Sequence, residues 1–134
     1  MSISKTNDLG KISLDPQVIS DIVYDLLDAP DLRGNLWMAS GKSHIADIIP
    51  VIKKDRENSM KIAFDNDRLS LELSIVIKFG VSISNTTKLF ADKIVADIKE
   101  LLGLDTDSIT INISGVKSKQ IAKRRTRVIY RYGS

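Results

Sequence analysis

The chain reads as an α+β protein, a two-layer sandwich with its helices stacked on one face of a sheet. Three observations predict this. The strand-like stretches alternate between apolar and polar residues, and the helix-like stretches each carry a single apolar face. The two kinds are interleaved in the order β-α-β-(short α)-β-β-α-β. A sheet built from alternating strands shows one face to water, so its helices belong on the other.

Each element has a local cause. Gly10-Lys11-Ile12-Ser13-Leu14 alternates and predicts a short strand. Asp15-Pro16 then starts a helix: a carboxylate caps free N–H groups, and a proline at the first helical position gives up a donor that has no partner there. Val18, Ile19, Ile22, Val23, Leu26 and Leu27 follow at helical spacing. The helix should stop near Asp28, because Ala29 precedes Pro30 and is pushed out of helical geometry. After Gly34, Asn35 to Ala39 predicts a second strand. Ile45, Ile48, Ile49 and Ile52 keep helical spacing around Pro50, which predicts two short turns or one kinked helix.

The strongest pattern lies further on. Leu69, Leu71, Leu73, Ile75, Ile77 and Phe79 alternate with Ser70, Glu72, Ser74, Val76 and Lys78, a long strand with one buried face. Met60 to Phe64 is its hairpin partner, joined through Asp65-Asn66-Asp67-Arg68. A second helix is expected from about Thr86 to Leu102, with Ser84 or Asn85 as cap and Gly103 closing it. Ser108 to Ser114, with Ile109, Ile111 and Ile113 on one side, predicts the last strand of the domain.

Composition narrows the function classes. At 134 residues the chain suits one domain with a core of its own. It has no cysteine and a single histidine, His44, which excludes disulfide scaffolds, thiolate nucleophiles and multi-imidazole metal sites. No uncharged apolar run approaches the roughly 20 residues of a membrane span. Met1 to Lys5 lacks a hydrophobic signal core, so a soluble, cytoplasmic protein is expected.

The net charge of +3 hides an asymmetry. Residues 116–134 carry Lys117, Lys119, Lys123, Arg124, Arg125, Arg127 and Arg131 with no acid, which leaves 13 basic against 17 acidic residues, a net of −4, in 1–115. The reading is a mildly acidic domain over 1–116 and a basic C-terminal extension over 117–134. Such a segment is drawn to phosphate, on nucleic acid or anionic lipid, or to an acidic partner surface. Arginines beside Tyr130 and Tyr132 have the composition of a nucleic-acid contact. Yet Val128, Tyr130 and Tyr132 also alternate like a strand that adds to a sheet edge.

Catalytic motifs fail on spacing. Gly41-Lys42-Ser43 resembles the end of a phosphate-binding loop, but the position five residues before Gly41 is Leu36 rather than glycine. Ser43, His44 and Asp47 sit together on one short turn, where a triad needs members converging from separate segments. Asp65 with Asp67, and Asp105 with Asp107, lack the further ligands of a calcium loop. Glu57, Glu72 and Glu100 have no spacing that pairs them for acid/base work. Trp37, the single tryptophan, reads as a core or edge filler.

In order and spacing, four stretches resemble the alkaline shock protein family, the small envelope stress response proteins of Gram-positive bacteria. They are Gly10 to Ile19, Gly34 with Met38-Ala39-Ser40, Leu71 to Ile83 with its Lys78-Phe79-Gly80-Val81 exit, and Gly103-Leu104 with Ser108 to Val116. The likeness spans about residues 9–117. Trp37 stands where the family usually carries a second glycine, and the basic segment lies beyond the family core. The resemblance implies a non-enzymatic protein without a cofactor or small-molecule substrate, linked to alkaline or cell-wall stress. It also implies self-association or a membrane-anchored protein partner that holds it peripherally at the membrane. The charge pattern keeps an alternative open: a nucleic-acid-binding module in which Lys117, Lys119, Lys123, Arg124, Arg125, Arg127, Tyr130 and Arg131 make the contacts.

Overall fold

The computed structural model of the protein describes residues 3–7, 10–39, 60–65 and 67–133. Strand β1 (Ile3–Asn7) pairs antiparallel with β2 (Gly10–Leu14) in a two-stranded sheet. Helix α1 (Pro16–Leu26) begins where the sequence places it: the Asp15 carboxylate accepts the Gln17 amide at 2.9 Å, and Pro16 opens the first turn. Strands β3 (Leu36–Met38), β4 (Met60–Asp65) and β5 (Arg68–Lys78) follow. Helix α2 (Ile83–Leu102), β6 (Asp105–Lys117) and β7 (Ile121–Arg131) complete the order.

The molecule is α+β, with two helices among the described residues and a mixed five-stranded sheet. Strand β5 is its centre. Along one edge β5 pairs antiparallel with β4 over Arg68–Leu73 and with β3 over Ile75–Ile77. Along the other it runs parallel to β6, which in turn pairs antiparallel with β7. A parallel neighbour needs a long crossover, and α2 supplies it.

The predicted order needs correction at both ends. Strand β1 carries a single apolar residue, Ile3, so it shows no alternation to read. At the other end, residues 121–131 run as β7 along the edge of β6. Helix α2 begins three residues earlier than expected, because the Ser82 hydroxyl accepts the Asn85 amide at 3.2 Å and takes the cap from Ser84 and Asn85. It ends on Gly103 at φ +69°, as the sequence implies. The predicted turns over 40–59, with the Gly41-Lys42-Ser43 and His44/Asp47 motifs, lie outside the described residues.

One cluster forms the core. Leu69, Leu71, Leu73, Ile75 and Ile77 of β5 join Ile109, Ile111 and Ile113 of β6, Ile19 and Val23 of α1, and Phe90, Ile94 and Ile98 of α2. These are the odd positions of the two central strands, so both helices bury the same sheet face. The even positions form the other face.

Strand β6 shifts register against β5 twice, past Asp107 near its start and again at Ser114. Ile75 pairs with Ile113, but Val76 pairs with Gly115, so Ser114 is an extra residue, a β-bulge held by its hydroxyl donating to the Ile75 carbonyl at 3.2 Å. The bulge changes parity. Beyond it Val116 packs on the core, and Lys117 shares the open face with Lys78.

Candidate functional site

The open face is a grid of registered side chains. One row runs Lys61, Glu72, Thr110 and Ile129 across β4, β5, β6 and β7. The next holds Ser74, Asn112 and Arg127, and beyond the bulge lie Val76 with Lys123 and then Lys78 with Lys117. Arg131 stands opposite Ser108 at the far end. Strand β3 adds Trp37 beside Val76.

A polar ladder crosses the middle of this face. Arg127 donates from Nε to Asn112 Oδ1 at 2.9 Å, Asn112 donates to Glu72 Oε2 at 2.8 Å, and Arg127 Nη2 lies 3.5 Å from the same carboxylate oxygen. The charge of Glu72 is thus shared within the ladder. Lys123, Arg124, Arg125 and Arg131 are exposed along β7 and make no ion pair among the described residues. Beside the bulge, a depression of about 330 Å³ is bordered by Ser114, Arg124, Arg125 and Arg127.

The structure brings most of the sequence-selected residues onto one strand and its turn. Lys117 ends β6, Lys119 sits in the turn that follows, and Lys123, Arg124, Arg125, Arg127 and Arg131 lie on β7. Tyr130 does not join them. It points to the helix side, where its hydroxyl lies 2.6 Å from that of Thr87 and donates to the Ser84 carbonyl at 3.2 Å. Tyr132 turns the same way and donates to Asp92 at 2.8 Å. Burial raises the Tyr132 phenol well above its usual range, and the Asp92 carboxylate adds to the shift. At Asp92 burial pulls upward, but hydrogen bonds from Tyr132 and Lys88 hold the carboxyl below its ordinary value.

Sequence reasoning missed the other end of the face. Lys117 Nζ stands 5.0 Å from the centroid of the Trp37 ring, a cation–π contact. Trp37, Lys78, Phe79 and Lys117 border a depression of about 440 Å³. One signal was available: Leu36 and Met38 are both buried, and alternation then turns Trp37 to the open side. Among the described residues no group of three or more His, Asp or Glu is placed to hold a metal ion, and Asp65, Asp67, Asp105 and Asp107 belong to strand ends and turns. No helix among them is long and apolar enough to cross a membrane.

Known proteins of similar sequence fix the kinship. YloU of Bacillus subtilis, described as uncharacterized, is 24% identical over 119 residues, covering 87% of this chain and 97% of that protein. No solved structure matches the chain. The model of the alkaline shock protein family, described as having a cell envelope-related function, matches residues 4–118 and reaches from β1 to the end of β6. With that match over most of its length, the chain belongs to the alkaline shock protein family that its sequence resembles.

Proposed function

We propose that the protein serves envelope stress tolerance as a non-enzymatic interaction module. The open sheet face and the basic strand β7 dock a membrane-anchored protein partner or a second copy of the chain. The supporting observation is the presentation of the cations: Lys123, Arg124, Arg125, Arg127 and Arg131 stand exposed on a hydrogen-bonded strand rather than on a loose tail. Charges held on a rigid element lose little entropy on docking, which favours recognition of one acidic surface. A nucleic-acid reading has less support. Tyr130 and Tyr132 spend their rings on the helix side, and one face of Trp37 is taken by Lys117.

The test is a pull-down from detergent-solubilised membrane extract with the full chain, beside a variant carrying Arg124→Glu, Arg125→Glu and Arg127→Glu. The expected result is a membrane protein, or the chain itself, recovered by the unaltered protein and lost by the variant. Equal recovery by both, or recovery by neither, overturns the reading.

A further inference from the structure

We propose that one end of the open face seats directly on an anionic lipid surface, with Phe79 entering the bilayer interface. This goes beyond protein docking through β7 and does not depend on it.

The first observation is the state of Phe79. It is 69% exposed, the most exposed large apolar residue among those described. It sits in the turn from β5 to α2, yet that turn is fixed: the Phe79 amide donates to the Lys117 carbonyl at 2.8 Å, and the Val81 amide closes back on Lys78 at 3.4 Å. Gly80 takes φ +91°, a conformation that suits glycine. The fold therefore holds an aromatic ring out into solvent on a tethered backbone, which favours an apolar environment for that ring.

The second observation is the charge around it. Lys78 and Lys117 flank Phe79 on the two strands, and Lys119 follows in the adjoining turn. The three segments that meet here, 33–39, 76–91 and 115–121, contain no acidic residue. Helix α2 starts just after the turn with no acid in its first turn, so the positive end of its dipole adds to the same field. Lasting membrane contact takes an apolar insertion and a basic patch together, and this end of the molecule supplies both.

Trp37 separates lipid from the other polyanion. The Lys117 ammonium covers one face of its ring, which leaves the indole poorly placed to stack on a base. An amphipathic ring beside lysines is instead the arrangement found at headgroup level.

The single tryptophan also provides the assay, since all indole fluorescence reports on this end. Full-length protein is mixed with phosphatidylcholine vesicles, with and without phosphatidylglycerol. Sedimentation and the emission of Trp37 are both followed. The expected result is binding to the anionic vesicles only, weakened by salt, with a blue shift of Trp37 emission and its quenching by chain-brominated lipid. Phe79→Ser should weaken binding about tenfold, the loss of one buried aromatic side chain, whereas Phe79→Leu keeps it. The exposure of Phe79 makes both variants foldable, which a thermal melt checks. Absence of vesicle binding, binding without the Trp37 shift, or equal binding by Phe79→Ser overturns the proposal. No protein partner is present in this assay and no bilayer in the pull-down, so failure of one leaves the other standing.

Discussion

Tyr132 donates its phenolic hydrogen to Asp92 across 2.8 Å, tying the residue after β7 to the middle of α2. With Tyr130 reaching Thr87, this bond makes the basic strand part of the helix-covered layer on one side while its arginines stay on the other.

Replacing Tyr132 by Phe should cost about 1 kcal/mol at neutral pH, the worth of one hydrogen bond to a charged acceptor that stays partly wet. The pH profile carries more information. The folded phenol titrates above its ordinary value, so its contribution is complete below about pH 10 and is lost as pH climbs from there toward the folded value. Asp92 is shifted downward, so its share is present above about pH 4 and disappears as pH falls below that. Urea unfolding at a series of alkaline pH values should show the Tyr132→Phe protein losing stability less steeply than the parent. Parallel profiles would mean that the bond does not form in solution.

Removing residues 118–134 should unfold or badly weaken the protein rather than release a tail. The deletion strips Val128, Tyr130 and Tyr132 from the core's margin and leaves the outer edge of β6 unpaired. The lost burial amounts to several kcal/mol, against a total stability of about 5–15 kcal/mol. Thermal melting followed by circular dichroism decides it: a shortened chain melting within a few degrees of the parent contradicts the role of β7.

Phe90→Ala should cost about 3–5 kcal/mol, because that ring is fully buried and its removal leaves a cavity under the sheet. Phe79→Ala, the same substitution at an exposed ring, should stay within about 0.5 kcal/mol. Denaturant midpoints of the pair measure the contrast directly.

At Gly103 the space is open, with no atom within 4 Å of an added Cβ, so only the backbone opposes a side chain there. Gly103→Ala should destabilise by about 1 kcal/mol through the left-handed φ of +69°. Gly103→Asn should lose less, since asparagine tolerates that region. Calorimetry on the two variants gives the order.

The ladder of Arg127, Asn112 and Glu72 contributes to the surface more than to stability. Arg127 is 61% exposed, so Arg127→Ala should cost less than about 1 kcal/mol. Its effect should appear instead in partner recovery by pull-down.

Much of this was legible in the chain because its causes are local. Asp15-Pro16 starts α1, Gly103 stops α2, and the alternation from Leu69 to Ile77 declares which face of β5 is buried. Strand β7 was not legible in the same way. Its Lys and Arg residues satisfy a solvated tail and an edge strand equally well, and the choice rests on Val128, Tyr130 and Tyr132 meeting a helix far away in sequence.

The order of residues alone dictates the kind of each central element, the apolar side of each, the concentration of positive charge after Gly115 and the kinship with the alkaline shock protein family. Those follow from periodicity and composition, which need no knowledge of neighbours. Which strands adjoin, and what the bulge at Ser114 does, emerge from the folded arrangement. Beyond Ser114 the inserted residue reverses the parity of β6, packs Val116 against the core's margin and carries Lys117 to the open face over Trp37. Pairing is a contact between distant segments, and a bulge is defined only against its partner strand, so neither is written in either segment alone.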